Sequence, residues 1–533
     1  MAWLHTWAGL LVCWILFLIF SAGTASYFRD EISLWMKPEQ HAAAAVSVPT
    51  TQAVQHAIRV LQQDAPAASR WFITFPNERE HALGVGWLNP PVKDDKKRPK
   101  IERLQLNPAT GELLTAVRDT GGGDFIYRLH YDLHYLPANW GRWIVGFCAM
   151  LMLIAIVSGV ITHRRIFKDF FTFRPRKGQR SWLDAHNAVA VLALPYHLMI
   201  TYTGLVTLMF MLMPSGVQVA YNGDQKAFFA EAFPQGVSRK PAHQSAPLTA
   251  LQPLMAQAER HWDGGQAGRI FINNPGDAHA TINIIRQPER KLSSTRQAMQ
   301  FDGVSGALLT TTGDQPSGAL ESRGVLFGLH RANFADPLLR TLFFLCGLTG
   351  CAMVATGALL WAVKRRQGYA KMLAQGGRIG FGLRLVDGLN IGTMAGLPIA
   401  FAAYFWVNRL LPLDWAGRAD HEINCFFSAW AIAALLAHLR PDRRMWRWQL
   451  CLGGMLFALL PLLNILTTNT HLGVTLFQGK GPWAVAGFDL FSLVFGCALL
   501  CAARQLVSPR PVRKRVDQQV EADRLRTTSG EMI

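Results

Sequence analysis

The sequence predicts a mainly α-helical membrane protein of about eight transmembrane helices, with two small α+β modules outside the bilayer in a tandem duplication. Three observations predict it: apolar runs of spanning length, a one-sided distribution of Lys and Arg, and an internal repeat. The chain has 533 residues, half of them apolar, and its apolar runs fall near residues 3–28, 143–162, 188–213, 338–363, 387–411, 422–439, 448–466 and 484–503. Segments 163–182, 364–386, 440–447 and the tail from Arg504 hold 24 Lys and Arg, whereas loops 412–421 and 469–483 hold only Arg418 and Lys480. By the positive-inside rule both termini are cytoplasmic. The net charge of +18 is therefore a topology signal, and no nucleic-acid partner is expected.

Taken in order, residues 1–28 read as a retained first span, because their n-region lacks Lys and Arg and the apolar run exceeds that of a signal peptide. Residues 29–141 form the first outside module, with an amphipathic helix in TQAVQHAIRVLQQ and strands in RWFITF, HALGVGWL and RLQLNP. Residues 142–213 hold the second span, a basic cytoplasmic loop and a third span, in which Pro195 lacks an amide donor and introduces a bend. The second module covers 214–337 and the fourth span 338–366. Residues 384–503 add a four-helix membrane module, and 504–533 read as a charged cytoplasmic tail.

The first 366 residues repeat internally. Phe72-Ile73-Thr74-Phe75-Pro76 followed by His81-Ala82 matches Phe271-Ile272-Asn273-Asn274-Pro275 followed by His279-Ala280. QLNPATGELLT from Gln105 matches QFDGVSGALLT from Gln300. Leu129-His130 matches Leu329-His330, and His5 precedes Gly23 by the same 18 residues that separate His186 from Gly204. Basic pairs, Arg164-Arg165 and Arg365-Arg366, close the two copies.

Imidazoles in or at the edge of hydrocarbon are costly, so their concentration here points to a ligand that uses them. Two copies with the same membrane orientation are related by an axis along the membrane normal. That axis pairs His5 with His186 near the cytoplasmic face and His130 with His330 near the outer face. Two bis-histidine sites suit haem, which takes one or two neutral imidazoles held on facing helices. Three further histidines are alternative ligands. His134, four residues after His130, shares its helix face if the helix continues; His163 ends the second span; His197 follows His186 by eleven residues and sits near mid-membrane. Arg142, Arg164 and Arg165 are candidate partners for haem propionates. Eight cysteines all lie in or beside apolar segments and no Cys-x-x-Cys-His is present, so any haem is b-type and the modules fold without disulfides. His421, His438 and His471 lie near span ends without repeat partners and are not expected to be ligands. Asp387, Asn390 and Asn464 are polar residues near or inside apolar runs.

The opening LHTWAGLLVCWILFLIFSAGTASYFRDEISLWMKPE, with ITHRRIFKDFFTFRPRKGQRSWLDAHN, LPYHLMITYTGL and LHRANFADPLLRTLFFLCGLTG, resembles the PepSY-associated transmembrane family over about residues 1–366. The two modules are similar to PepSY domains, whose ending Asp/Asn-x-x-Thr/Ser-Gly-x-Leu is seen at Asn107 and Asp302. The family's histidine motif matches His5, His130, His134, His163, His186, His197 and His330. The resemblance implies a bacterial inner-membrane protein with periplasmic PepSY modules, linked to siderophore uptake. It also implies haem b, with electrons passed to a ferric siderophore or another periplasmic acceptor.

There is no Gly-x-Gly-x-x-Gly after a strand, no Walker loop and no His-Glu-x-x-His, and the cytoplasmic segments are too short for a nicotinamide or flavin domain. Membrane quinol or a separate cytoplasmic donor must then supply the electrons. Two haems per chain are expected. A non-enzymatic alternative stays open: PepSY modules also occur as inhibitory pro-segments of peptidases, so the chain would regulate a peptidase or act as an assembly factor, with no haem.

Overall fold

A computed structural model of the chain describes residues 1–41, 48–90, 101–114, 117–162, 167, 172–175, 177–232, 236–369, 372, 375–378 and 380–507. Seven helices among them are long and apolar enough to cross a bilayer, and a bent pair makes up to eight. The duplicated half contains α1 (Ala2–Ser26), α2 (Arg29–Trp35), α3 (Thr50–Asp64), α4 (Gly122–Asp132), α5 (Ala138–Thr162), α6 (Gln179–Leu192), α7 (Leu194–Thr207), α8 (Leu251–His261), α9 (Gly318–Arg331) and α10 (Pro337–Gly368). The added half contains α11 (Phe381–Leu410), α12 (Arg418–Leu439), α13 (Arg443–Thr467) and α14 (Trp483–Gln505). The tail beyond residue 507 lies outside the described residues.

The third span departs from a straight helix as Pro195 predicts. Helices α6 and α7 meet at 68° around Ala193. Pro195 stands in the first turn of α7, where a missing amide costs nothing. The span also begins earlier than the apolar run suggests, so His186 lies well inside α6.

The two outside regions do not stand apart. Strands β1 (Arg70–Thr74), β2 (Leu83–Leu88) and β3 (Ile101–Leu106) join β4 (Ala267–Asn273), β5 (Thr281–Arg286), β6 (Ala298–Asp302) and β7 (Leu308–Thr312) in one seven-stranded sheet of order β3-β2-β1-β4-β5-β6-β7. The joint is antiparallel, with Arg70 opposite Asn273, Phe72 opposite Phe271 and Thr74 opposite Arg269. Phe72 and Phe271 are repeat equivalents, so a local twofold axis passes between them, normal to the sheet. Strand alternation sorts the sheet's two faces. Trp71, Ile73, Leu83, Val85, Ile270, Ile272, Ile282 and Ile284 pack against Val54, Ala57 and Leu61 of α3 and Leu254, Met255 and Ala258 of α8. Phe72, Thr74, Arg269 and Phe271 take the opposite, open face.

Within the bilayer half, α1 packs on α5 and α10, α6 on α10, and α7 on α5 and α9. The added helices are tied to the first copy through buried polar groups. Arg418 and Glu422 form an ion pair with both side chains fully buried, and Glu422 also accepts from Thr120 and Asn408. Arg409 donates to the Trp35 carbonyl and lies 4.2 Å from the Trp35 ring, while the Trp35 indole donates to Asp489. Asn464 bonds both Arg409 and Asp489. Asp387 pairs with Arg366 at 2.6 Å and Asn390 accepts from the Trp14 indole at 2.9 Å, so the polar residues of the added spans secure helix contacts. Breaking such a buried pair by removing one member costs about 3–5 kcal/mol.

The β1–β4 joint has a direct check. Opposed residues of antiparallel strands lie about 4.5–5.5 Å apart at Cα, within disulfide range. The double variant Phe72→Cys/Phe271→Cys should therefore form an intramolecular disulfide on mild oxidation, read as loss of two free thiols by mass spectrometry. Persistence of both thiols would contradict the shared sheet.

Candidate functional site

The same twofold relation sets the histidines facing one another. His5 of α1 and His186 of α6 have ring centroids 6.3 Å apart at the end of the bundle far from the sheet. His130 of α4 and His330 of α9 are 6.1 Å apart at the sheet end. Two metal–imidazole bonds of about 2 Å plus two ring half-widths of about 1 Å add to roughly 6 Å. Each pair therefore has the spacing that one metal between two imidazoles requires.

Each ring is held in the same way. His5 Nδ1 donates to the Ala155 carbonyl at 2.8 Å, His130 Nδ1 to Ile19 at 2.8 Å, and His186 Nδ1 to Met353 at 3.0 Å. His330 Nδ1 donates to the Thr203 hydroxyl at 3.1 Å, because that hydroxyl spends its own hydrogen on the Met199 carbonyl. A carbonyl oxygen only accepts, so Nδ1 carries the hydrogen and Nε2 the lone pair, the tautomer a metal needs. Burial holds His130 and His330 below the ordinary histidine value, His330 at about 3 with His130 adding to the effect, which keeps the imidazoles neutral.

A glycine faces each ring. A Cβ at Gly23 would lie 2.7 Å from the His130 ring, at Gly204 3.1 Å from His330, at Gly159 3.0 Å from His5 and at Gly357 3.2 Å from His186. In three cases the accepting carbonyl belongs to the residue four before that glycine, one helical turn away on the same face. Ser158, Thr203 and Thr356 directly precede three of the glycines, and Thr203 and Thr356 reach the histidines themselves. The spacing from His5 to Gly23 and from His186 to Gly204 is visible in the sequence. That the glycines abut histidines of other helices is not, since those contacts join distant segments.

Two cavities contain the pairs. The sheet-end cavity, about 390 Å³, is lined by His130, His330, Gly23, Gly204, Tyr127, Tyr131, Arg29, Arg79, Arg142 and Arg331. The distal cavity, about 940 Å³, is lined by His5, His186, His197, Gly159, Gly357, Trp361, Lys364 and Arg365. Both volumes fall in the range of ligand and cofactor sites. Lys364 and Arg365 at the distal cavity, and Arg29, Arg79 and Arg331 at the sheet end, are cations beyond the propionate partners the sequence singles out.

The remaining candidates are placed as follows. His197 is fully buried and lines the distal cavity; its Nε2 meets the Thr349 hydroxyl at 3.2 Å, and its Nδ1 has no hydrogen-bond partner among the described residues. His134 does not share the face of His130. Helix α4 ends at Asp132 and both Leu133 and His134 have positive φ, which turns His134 away to stack on Phe427 at 5.5 Å. Arg142 lines the sheet-end cavity while paired with Asp132 at 2.8 Å. His163, Arg164 and Arg165 lie outside the described residues.

The family described as the PepSY-associated TM region matches residues 2–364, which include both histidine pairs and both modules. The chain belongs to this family. It is also 27% identical over 403 residues to the uncharacterized protein PA4219 of Pseudomonas aeruginosa, a match covering 71% of this chain and 93% of that relative.

The glycine contacts are testable without a ligand. Gly23→Ala forces the His130 ring aside and should destabilise by about 1–3 kcal/mol, the range of overpacked cores. Gly487→Ala, where a Cβ meets nothing within 4 Å, should be neutral or slightly stabilising. Thermal unfolding in detergent compares them; equal midpoints would remove the close approach.

Proposed function

We propose that the chain is an inner-membrane di-haem protein that passes electrons across the bilayer to a periplasmic acceptor, a ferric siderophore in iron uptake. The observation that carries this reading is the fourfold recurrence of one arrangement: an imidazole, hydrogen-bonded at Nδ1, abutting a glycine and facing a second imidazole at about 6 Å. Bonds at Nδ1 fix ring orientation and raise ligand basicity, the usual outer support of metal-binding histidines. Haem, when bound, supplies one-electron chemistry whose potential is set by axial ligands, hydrogen bonds and burial.

The residues divide the work. His5 and His186 would hold one group, with Lys364 and Arg365 placed for its carboxylates. His130 and His330 would hold the other, with Arg79 and Arg331 beside it. Without Cys-x-x-Cys-His both groups are held non-covalently, as haem b. The imidazoles keep Nδ1–H on the protein and present Nε2, and apolar Leu16 and Met152 line both cavities, between the two levels. The separation is roughly 24 Å, from sixteen residues of rise along α1 between His5 and the contact at Ile19 and Gly23. The Lys and Arg asymmetry puts the distal pair at the cytoplasmic face, where membrane quinol or a cytoplasmic donor delivers electrons, and the sheet in the periplasm. Reduction of ferric iron weakens its hold by hard oxygen ligands, which suits release from a siderophore.

The purified chain should show sharp dithionite-reduced minus oxidised haem bands and two haems per polypeptide. His330→Ala or His186→Ala should each remove or shift one of them. A colourless preparation that keeps its thermal transition would overturn the reading in favour of a haem-free regulator or assembly factor.

A further inference from the structure

The two cavities are not alike, although the twofold relation that sets their histidine pairs would make them so. The distal one, about 940 Å³, is more than twice the sheet-end one, about 390 Å³. It runs along the bundle from Ala2 and His5 of α1 to Leu16, and His197 of α7 enters its lining. Leu16 is the repeat equivalent of His197, because each follows its paired histidine by eleven residues. One side of the axis is thus aliphatic where the other carries an imidazole. Eleven residues of helical rise amount to roughly 16 Å. His197 therefore stands at the other end of the cavity from the metal that His5 and His186 would hold.

His197 is bonded in the opposite sense to the four paired histidines. The Thr349 hydroxyl lies 3.2 Å from its Nε2 and spends its own hydrogen on the Cys346 carbonyl at 2.6 Å, so it can only accept. Nε2 then carries the hydrogen and Nδ1 the lone pair. Nδ1 is buried without a hydrogen-bond partner among the described residues, on a side chain wholly withdrawn from solvent. The Phe20 and Tyr196 rings flank the imidazole edge-on, at 6.4 and 5.9 Å between centroids, and hold its plane. A buried acceptor left unpaired has lost its bond to water and gained nothing in exchange.

A group that satisfies Nδ1 must donate a hydrogen. It must also be largely apolar and soluble in the bilayer, because Leu16, Met152 and Leu194 line the cavity near this level of the spanning helices. A lone water, which needs about two to four polar partners, is poorly served there. Carboxylates, quinones and ethers offer no hydrogen. A quinol offers two hydroxyls on a flat apolar ring.

We propose that the mid-membrane end of the distal cavity binds the head group of a membrane quinol, with one hydroxyl donating to His197 Nδ1. This rests on the di-haem reading for its purpose, the supply of electrons from the membrane, but the binding itself requires no haem.

A short-tailed ubiquinol bearing a diazirine is photolysed with the full-length, haem-loaded chain in zwitterionic nanodiscs. Dithionite keeps haem and quinol reduced, and adducts are mapped by mass spectrometry. Label should fall on residues 183–197 and 353–361, which line the cavity. Decylubiquinol should displace it at least about ten-fold better than its dimethyl ether, which has the same apolar body and no hydroxyl hydrogen. His197→Leu, which installs the residue already present at position 16, should make the two competitors equal within about two-fold and leave the thermal transition and haem spectrum unchanged. His197→Asn, whose amide oxygen restores an acceptor, should recover the preference. The parent's choice between quinol and ether remains a test even if His197→Leu does not fold. Label confined to α11–α14, a parent that treats quinol and ether alike, or a His197→Leu variant that keeps the preference would each overturn the proposal. So would a haem band lost or shifted in His197→Leu, since the residue would then be an iron ligand. A haem-free chain that labels and discriminates as described removes the electron-transfer reading and leaves the site; a haem-loaded chain that does neither leaves that reading and removes the site.

Discussion

The pairing of β1 with β4 is the constraint from which the rest of the duplicated half follows. Two copies of a module, each with an unpaired strand edge, satisfy their edge amides and carbonyls by joining antiparallel, and this removes the aggregation hazard that each edge carries alone. Because Phe72 lies opposite Phe271, the joint imposes a twofold relation on everything attached to the two modules. The helices that enter and leave them inherit that relation, and with it the facing of His130 on His330 and of His5 on His186.

The second recurring element is local. A histidine that donates from Nδ1 to a carbonyl beside a glycine has its ring plane, tautomer and depth set by backbone, and backbone positions in packed helices vary little. Sites built this way hold a metal-sized gap without a metal-specific cluster of acidic or sulfur ligands; among the described residues no group of three or more His, Cys, Asp and Glu is arranged for a bare metal ion. The arrangement suits a planar cofactor gripped from two sides.

Departures from symmetry mark where the copies have diverged. Position 16 is Leu in the first copy and its equivalent is His197 in the second, at the level between the two pairs. The added helices bind the first copy through Trp35, Thr120 and their polar partners, and the second copy through the Arg366–Asp387 pair and the Phe344–Phe491 ring contact.

Much of this was legible in the sequence because it depends on short-range pattern. Apolar length determined the spans, Pro195 the bend, and the repeat the pairing of His5 with His186 and His130 with His330. What the sequence could not decide depends on where the chain turns and which distant edges meet. The two modules read as separate because nothing in a strand's own residues states which edge it will pair with. His134 read as a neighbour of His130 because helical spacing holds only while the helix lasts, and α4 stops at Asp132. The glycine contacts and the Nδ1 acceptors each bring together residues more than a hundred positions apart. Only the packing of complete helices and strands determines those distances, since side-chain contact is a property of the folded surface and not of the local chain.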